Sequence, residues 1–200
     1  MKTVYRDQFE DNKLHFLKQE IQISLLVNHE NIIKCYEVYE DPHYIHFVFE
    51  FIEGTDLFDY IIQSQSTCIN EYQSAIIFSQ ILDAVHYLHL NSIVHRDIKL
   101  ENFLIYKQDT NLKVKLIDFG FASKTTIGFL REKIGSLNYL APEIFTDITY
   151  NNKVDIWAAG ITLFNMLTGK QPFSNNSDSQ LISDVVNKEL NFEDKSSIIC

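Results

Sequence analysis

Residues 95–120 open with His95-Arg96-Asp97-Ile98-Lys99-Leu100-Glu101-Asn102 and close with Asp118-Phe119-Gly120. Between them lie Phe103 to Tyr106 and Leu112 to Ile117, two short runs on either side of Gln108-Asp109-Thr110-Asn111. The second run alternates Leu112, Val114 and Leu116 with Lys113 and Lys115, the period of a half-buried strand, and the insert consists of turn residues. A hairpin is expected. Antiparallel pairing brings Asn102 and Asp118 to the same end, on strands about 4.8 Å apart. One amide oxygen and one carboxylate so placed suit a hard cation such as Mg2+ that shares phosphate oxygens. A further carboxylate, Asp97, lies five residues before Asn102, close enough to act on the same substrate.

Upstream, Tyr72 to Leu90 carries Ala75, Phe78, Ile81, Leu82, Val85 and Leu88 at intervals that predict a long amphipathic helix. Tyr44 to Ile52, aromatic and β-branched and broken at Glu53-Gly54, reads as a strand that ends a small sheet. Leu14 to Asn28 reads as a helix with Leu14, Leu17, Ile21 and Leu25 on one face and Glu20 at its edge. Downstream, Lys153 to Leu167 is apolar almost all round, the pattern of a helix buried on every side. No repeat or long linker interrupts the 200 residues, and the elements are mainly helical with a minor sheet component.

Composition narrows the function classes. With 46% hydrophobic residues a real core is available, and a formal charge of −10 disfavours a phosphate backbone as partner, so no nucleic acid is expected. The longest nearly apolar run, Ile156 to Leu167, is too short to span a bilayer, and the first 30 residues are studded with charge. A soluble, cytoplasmic protein without a secretory signal or membrane partner is the expectation. Cys35, Cys68 and Cys200 fit no metal-ligand spacing and read as buried or idle thiols. His86 and His89 have helical spacing but no third ligand, and read as structural. The acids Glu37, Glu40 and Asp41 read as solvated surface.

The runs from His95 to Asn102 and from Asp118 to Gly120, followed by Ala141-Pro142-Glu143, resemble the catalytic signatures of the eukaryotic protein kinases. The resemblance covers essentially the whole chain, with Glu20-Ile21 matching the regulatory helix and Val154-Asp155-Ile156-Trp157 with Gly160 the buried helix of the large lobe. The run Gly135 to Glu143 is most similar to the calcium/calmodulin-dependent and AMP-activated branch. The resemblance implies an α+β, bilobal fold: residues 1–52 form an incomplete small β lobe and residues 53–200 a mainly helical large lobe. It implies transfer of the ATP γ-phosphate to a protein Ser/Thr hydroxyl with Mg2+. Asp97 then orients or accepts the hydroxyl proton, Asn102 and Asp118 hold the metal, and Lys99 neutralises charge near the γ-phosphate and indicates Ser/Thr substrates. Phe49 falls at the gatekeeper position, Glu50 and Ile52 at the hinge, and Leu104 on the apolar floor under adenine. Asp56, at the edge of the nucleotide site, and Glu101 match positions where relatives read arginines before the phosphoacceptor, while Asn165 replaces another expected acid. A protein substrate with basic residues before the acceptor and an apolar residue after it, near Leu137 and Leu140, is implied. Asp155 is implied to anchor the catalytic loop, the alternative being a first-turn acid favoured by the helix dipole.

The departures are equally specific. No glycine precedes Gly54, so the glycine-rich phosphate cover of the family is missing from this sequence. Lys2 stands in register for the phosphate-binding lysine, 18 residues before Glu20, and reads either as its partner or as a plain surface lysine. Glu143 pairs in the family with a downstream arginine, whereas the arginines here are Arg6, Arg96 and Arg131. The last helices of the large lobe are expected to be missing, leaving apolar surface open on the Lys153–Leu167 helix and around Ile182 to Val186. A truncated product, or an incomplete piece of a longer protein, is therefore expected. A catalytically inactive, pseudokinase-like scaffold is the rival to an active enzyme. Glu132 stands where related kinases carry a phosphothreonine, with Arg96 as the expected partner, and reads either as a substitute for that phosphate or as a solvated charge.

Overall fold

The computed structural model describes residues 1–5, 14–64, 68–125 and 128–189. Strands β1 (Lys2–Tyr5), β2 (Cys35–Glu40) and β3 (Tyr44–Phe49) form an antiparallel sheet in the order β1-β3-β2. β3 is the last strand of this sheet in chain order and its central strand in space, and it stops at Phe49, before Glu50 to Ile52. Asp41 closes the β2–β3 turn by accepting the His43 and Tyr44 N–H groups and pairing with His46, contacts that hold its carboxyl at about 2. It is therefore a turn-closing acid and more than a solvated one.

Helix α1 (Leu14–Leu26) packs on this sheet, with Leu17 joining Cys35, Ile45 and Phe47 in a small core. Its buried face carries Leu17, Glu20, Ile23 and Ser24, while Leu25 is 46% exposed. The apolar stripe expected through Leu25 is thus rotated, because α1 must serve both the sheet and the larger core that takes Ile23 and Val27.

The chain then crosses to the second sheet, where Ile33 N–H donates to Leu116 and Leu116 N–H to Asn31. Strand β4 (Thr55–Asp56) opens that sheet, and helices α2 (Leu57–Gln63) and α3 (Glu71–Leu90) and strand β5 (Ile93–Val94) come next along the chain, before the two strands that complete it. α3 is capped by Asn70, whose side chain accepts the Gln73 N–H, and buries Ser74, Ile77, Ile81, Val85 and Leu88. Ala75 and Leu82, expected on that face, are exposed. The expected hairpin is present as β6 (Phe103–Gln108) and β7 (Asn111–Leu116), paired from Phe103↔Leu116 to Gln108↔Asn111. Its turn is two residues long, with Asp109 left-handed at φ 57°.

Strand β8 (Ser123–Lys124) pairs with β5, and helices α4 (Pro142–Thr146), α5 (Lys153–Thr168) and α6 (Asp178–Asn187) complete an α+β architecture. α5 ends at Gly169, which is left-handed at φ 64°. Its expected burial on every side fails at Ile156, 49% exposed, beside an apolar groove of about 370 Å³ lined by Trp157, Phe164 and Leu167 among others. Leu181 and Val185 of α6 are buried, with Ile182 and Val186 half-buried. Cys35 is a free buried thiol, whereas Cys68 is disulfide-bonded, which corrects its reading as an idle thiol; Cys200 lies outside the described residues. Among the described residues, no helix is long and apolar enough to cross a membrane.

Candidate functional site

The loop of residues 95–99 is held from below by one buried carboxylate. Asp155, in the first turn of α5 and 1% exposed, accepts the Arg96 N–H on Oδ1 at 2.8 Å. Its Oδ2 meets the His95 N–H at 2.9 Å and His89 Nε2 at 2.8 Å. Arg96 is left-handed at φ 69°, a conformation costing a non-glycine residue about 1 kcal/mol or more, and these bonds help fix it. His89 is thus a structural histidine. Burial keeps the His95 imidazole below its ordinary value, in edge contact with Phe119.

On this loop Asp97 is 6% exposed and both of its oxygens are engaged. Oδ1 accepts the Ser136 N–H at 2.9 Å, and Oδ2 accepts Asn102 Nδ2 at 3.0 Å and pairs with the Lys99 ammonium at 3.0 Å. Lys99 also donates to Ser136 Oγ at 2.8 Å. Ser136 was given no role by the sequence, although it follows Gly135 in a recognisable run; only the return of the chain onto the loop reveals it. Gly135, at φ 120°, makes that return possible, because a Cβ there would lie 2.4 Å from the Arg96 carbonyl oxygen.

Asn102 closes the 3-10 turn Leu100–Asn102 and uses Nδ2 twice, on Asp97 Oδ2 and on the Asp97 carbonyl at 2.7 Å. Its carbonyl accepts the Ile117 N–H at 3.0 Å, which fixes the hairpin end beside Asp118. Asp118 Oδ1 accepts the Gly120 N–H at 3.2 Å and the Lys2 ammonium at 3.0 Å. Lys2 also donates to Glu20 Oε1 at 2.6 Å and lies 5.9 Å from the Phe47 ring centre. Lys2 is therefore the partner of Glu20, and the reading of a plain surface lysine is corrected. Pairing of β1 with β3 at Lys2↔Phe47 orders its backbone and lowers the entropy left to lose. Burial alone would lower the Lys2 pKa, but the Glu20 and Asp118 carboxylates outweigh it and hold it above the ordinary value. For Asp118 burial pulls upward, and the Lys2 ammonium and the Gly120 N–H bring it below the ordinary carboxylate value.

The donor set fits a hard cation. Asn102 Oδ1 and Asp118 Oδ2 are left free of protein hydrogen bonds among the described residues, both at the hairpin end. No cluster of three or more His, Cys, Asp or Glu side chains that could hold a metal occurs among the described residues. One amide and one carboxylate oxygen are donors of the hard type that Mg2+ takes together with phosphate oxygens and water.

The remaining predicted positions surround this centre less directly. Phe49 stacks on Phe47, with ring centres 5.8 Å apart. The Glu50 carboxylate accepts Lys115 Nζ and the Lys34 N–H, each at 2.7 Å. Ile52 lies in the irregular link after β3, and Leu104 sits half-buried on β6 opposite Asp56. The Asp56 carboxylate caps α2 through the Asp59 N–H at 2.8 Å. Glu143 is partly exposed and has no ion-pair partner among the described residues. Glu132 pairs with the Arg96 guanidinium at 3.1 Å, and Arg96 Nε donates to the Phe121 carbonyl at 2.7 Å.

Residues 1–198 match the protein kinase domain, and the chain belongs to that family. It is 33% identical over 177 residues to the calcium/calmodulin-dependent protein kinase type 1 of Caenorhabditis briggsae, an overlap of 88% of this chain and 49% of that protein. The proteins of the same name from Caenorhabditis elegans and Macrobrachium nipponense are each 32% identical over 177 residues, covering 88% of this chain and 50% and 51% of theirs. This chain thus spans about half the length of these relatives.

Proposed function

We propose that this chain is the core of a Ser/Thr protein kinase that transfers the γ-phosphate of ATP to a hydroxyl of a protein substrate. The reading is carried by the convergence of Asp97, Asn102 and Asp118, with one unshared oxygen on each of the last two. Asn102 and Asp118 are the residues that would hold Mg2+, which when bound supplies positive charge to the phosphates. Asp97, oriented by Ser136 and Asn102, receives the hydroxyl proton as the acceptor oxygen bonds to phosphorus and the bond to the departing diphosphate breaks. Lys99 places an ammonium beside the same locus. Lys2, set by Glu20, offers a second cation to the phosphates. Phe49, Ile52 and Leu104 supply an apolar setting for adenine, beside the hinge backbone of Glu50. The small sheet with α1, up to residue 52, and the remaining residues act as two lobes around this cleft. The ion, the protein substrate and a cytoplasmic setting are parts of the same proposal.

The test is label incorporation from γ-labelled ATP into a mixed set of Ser and Thr peptides, alongside melting with Mg-ATP. At a hundred times its Kd the nucleotide stabilises the fold by about 2.7 kcal/mol. Asp97→Asn is expected to keep the melting shift and lose incorporation, and Asp118→Asn to lose both. Incorporation that survives Asp97→Asn overturns the proposal.

A further inference from the structure

Lys113 and Lys115 share the polar face of the β7 alternation, yet the fold treats them differently. Lys113 stays near the surface, 3.9 Å from the exposed Glu30. The Lys115 side chain is only 12% exposed, against 34% for Lys113, and its ammonium meets Glu50 Oε1 at 2.7 Å. Withdrawing an ammonium and a carboxylate from water carries a desolvation cost that a surface pair avoids, so stability alone is a poor account of this bridge.

The bridge joins the parts that frame the adenine position. Glu50 Oε1 also accepts the Lys34 N–H at 2.7 Å, and the Glu50 N–H donates to the Lys34 carbonyl at 2.8 Å. Glu50 is thus fixed through both backbone and side chain to the segment that leads into β2. That segment is itself stitched to β7, where the Ile33 N–H donates to the Leu116 carbonyl and the Leu116 N–H to the Asn31 carbonyl. With its N–H spent on Lys34, the carbonyl is the backbone group that Glu50 offers to a base. Across the hairpin, Lys115 stands directly opposite Leu104. Side chains so opposed lie on one face of the sheet with Cβ atoms about 5 Å apart. One ammonium therefore connects the hinge residue to the strand pair that carries the apolar floor.

We propose that Lys115 is a positioning residue for the nucleobase: its bridge to Glu50 sets the hinge backbone against the Leu104 side chain and so fixes the gap that a purine enters. The effect is confined to the adenine end, because Lys2 and Asp118 at the phosphate end are held by their own contacts with Glu20 and the Gly120 N–H. The inference rests on the kinase reading of the site and deepens it.

The test is calorimetric titration of the whole chain with Mg-ATP and with Mg-tripolyphosphate, which carries the phosphates without the base. Lys115→Met is expected to weaken Mg-ATP at least tenfold while tripolyphosphate changes less than twofold. Lys115→Arg is expected to bring Mg-ATP back to within threefold of the parent. Combining Lys115→Met with Glu50→Gln is expected to lose no more than the worse of the two alone, since a single interaction is removed twice. If Lys115→Met does not fold, Glu50→Gln, which keeps an acceptor for the Lys34 N–H, supplies the same comparison. A general loosening of the fold weakens both ligands alike and does not separate Arg from Met. Equal losses for the two ligands, or Mg-ATP affinity unchanged in the variant, overturns the inference. Label transfer by the parent reports the kinase reading separately: a parent that binds no ATP overturns both, and one that binds and transfers while Lys115→Met matches it overturns the inference alone.

Discussion

Glu132 lies 3.1 Å from the guanidinium of Arg96, a side chain 1% exposed, while Glu132 itself is 48% exposed. The pair joins the segment before Gly135 to the loop that bears Asp97, and Arg96 also reaches the Phe121 carbonyl and the Phe16 ring. Burial pulls the Glu132 carboxyl upward, but its own N–H and Arg96 bring it below the ordinary value. A lowered carboxyl contributes stability above its unfolded pKa of about 4.3, and the contribution is lost as pH falls through the folded value. Glu132→Gln is expected to cost about 1 kcal/mol at pH 7 and to remove that part of the acid sensitivity. Urea unfolding at pH 7 and pH 3 measures both, and equal losses at the two pH values would contradict the ion pair.

Asp155 is a different case because it is buried with three donors on it. Asp155→Ala strands the N–H groups of His95 and Arg96 and frees the left-handed Arg96. A cost of about 3–5 kcal/mol is expected, with loss of transfer before loss of fold. Denaturation and label incorporation on the same preparation read the two. A stable, active variant would show that the loop is held by other contacts.

Ser24, 1% exposed on α1, buries a hydroxyl that has no hydrogen-bond partner among the described residues. Ser24→Ala removes the unsatisfied group for a small loss of volume, and stabilisation of about 1 kcal/mol is expected. The measurement is the denaturant midpoint, and a downward shift would show that the hydroxyl is bonded in solution.

The Lys2 bridge titrates at both ends of the pH scale. Its raised ammonium contributes below its unfolded pKa of about 10.4 and is lost as pH rises through the higher folded value. The lowered Asp118 carboxyl contributes above about 3.9 and is lost as pH falls through its folded value. Lys2→Met is therefore expected to lower stability across about pH 5 to 9 and to converge with the parent at both extremes. With Lys2 39% and Asp118 43% exposed, the difference should stay near or below about 1 kcal/mol. Parallel curves at all pH values would mean the lysine acts through packing alone.

The hairpin was legible because alternation at Leu112, Val114 and Leu116 is a local property, and Asn102 and Asp118 follow from its register. The face of α1 was misread at Leu25 for the opposite reason: its two packing partners, the small sheet and the larger core, are distant in sequence. The same distance hid Ser136, 39 residues from Asp97. The central place of β3 between β1 and β2 was not legible, because strand order depends on β1, four residues that carry little pattern alone.

The sequence by itself determined the helices α1, α3 and α5, the strand β3, the β6–β7 hairpin and the spacing of Asp97, Asn102 and Asp118, since backbone periodicity and short-range register need only neighbouring residues. Tertiary structure decided which charges meet: Lys2 with Glu20 and Asp118, Arg96 with Glu132, Asp155 with the 95–96 backbone. Those contacts depend on burial and on strand pairing between segments far apart in the chain, and no local pattern carries that information.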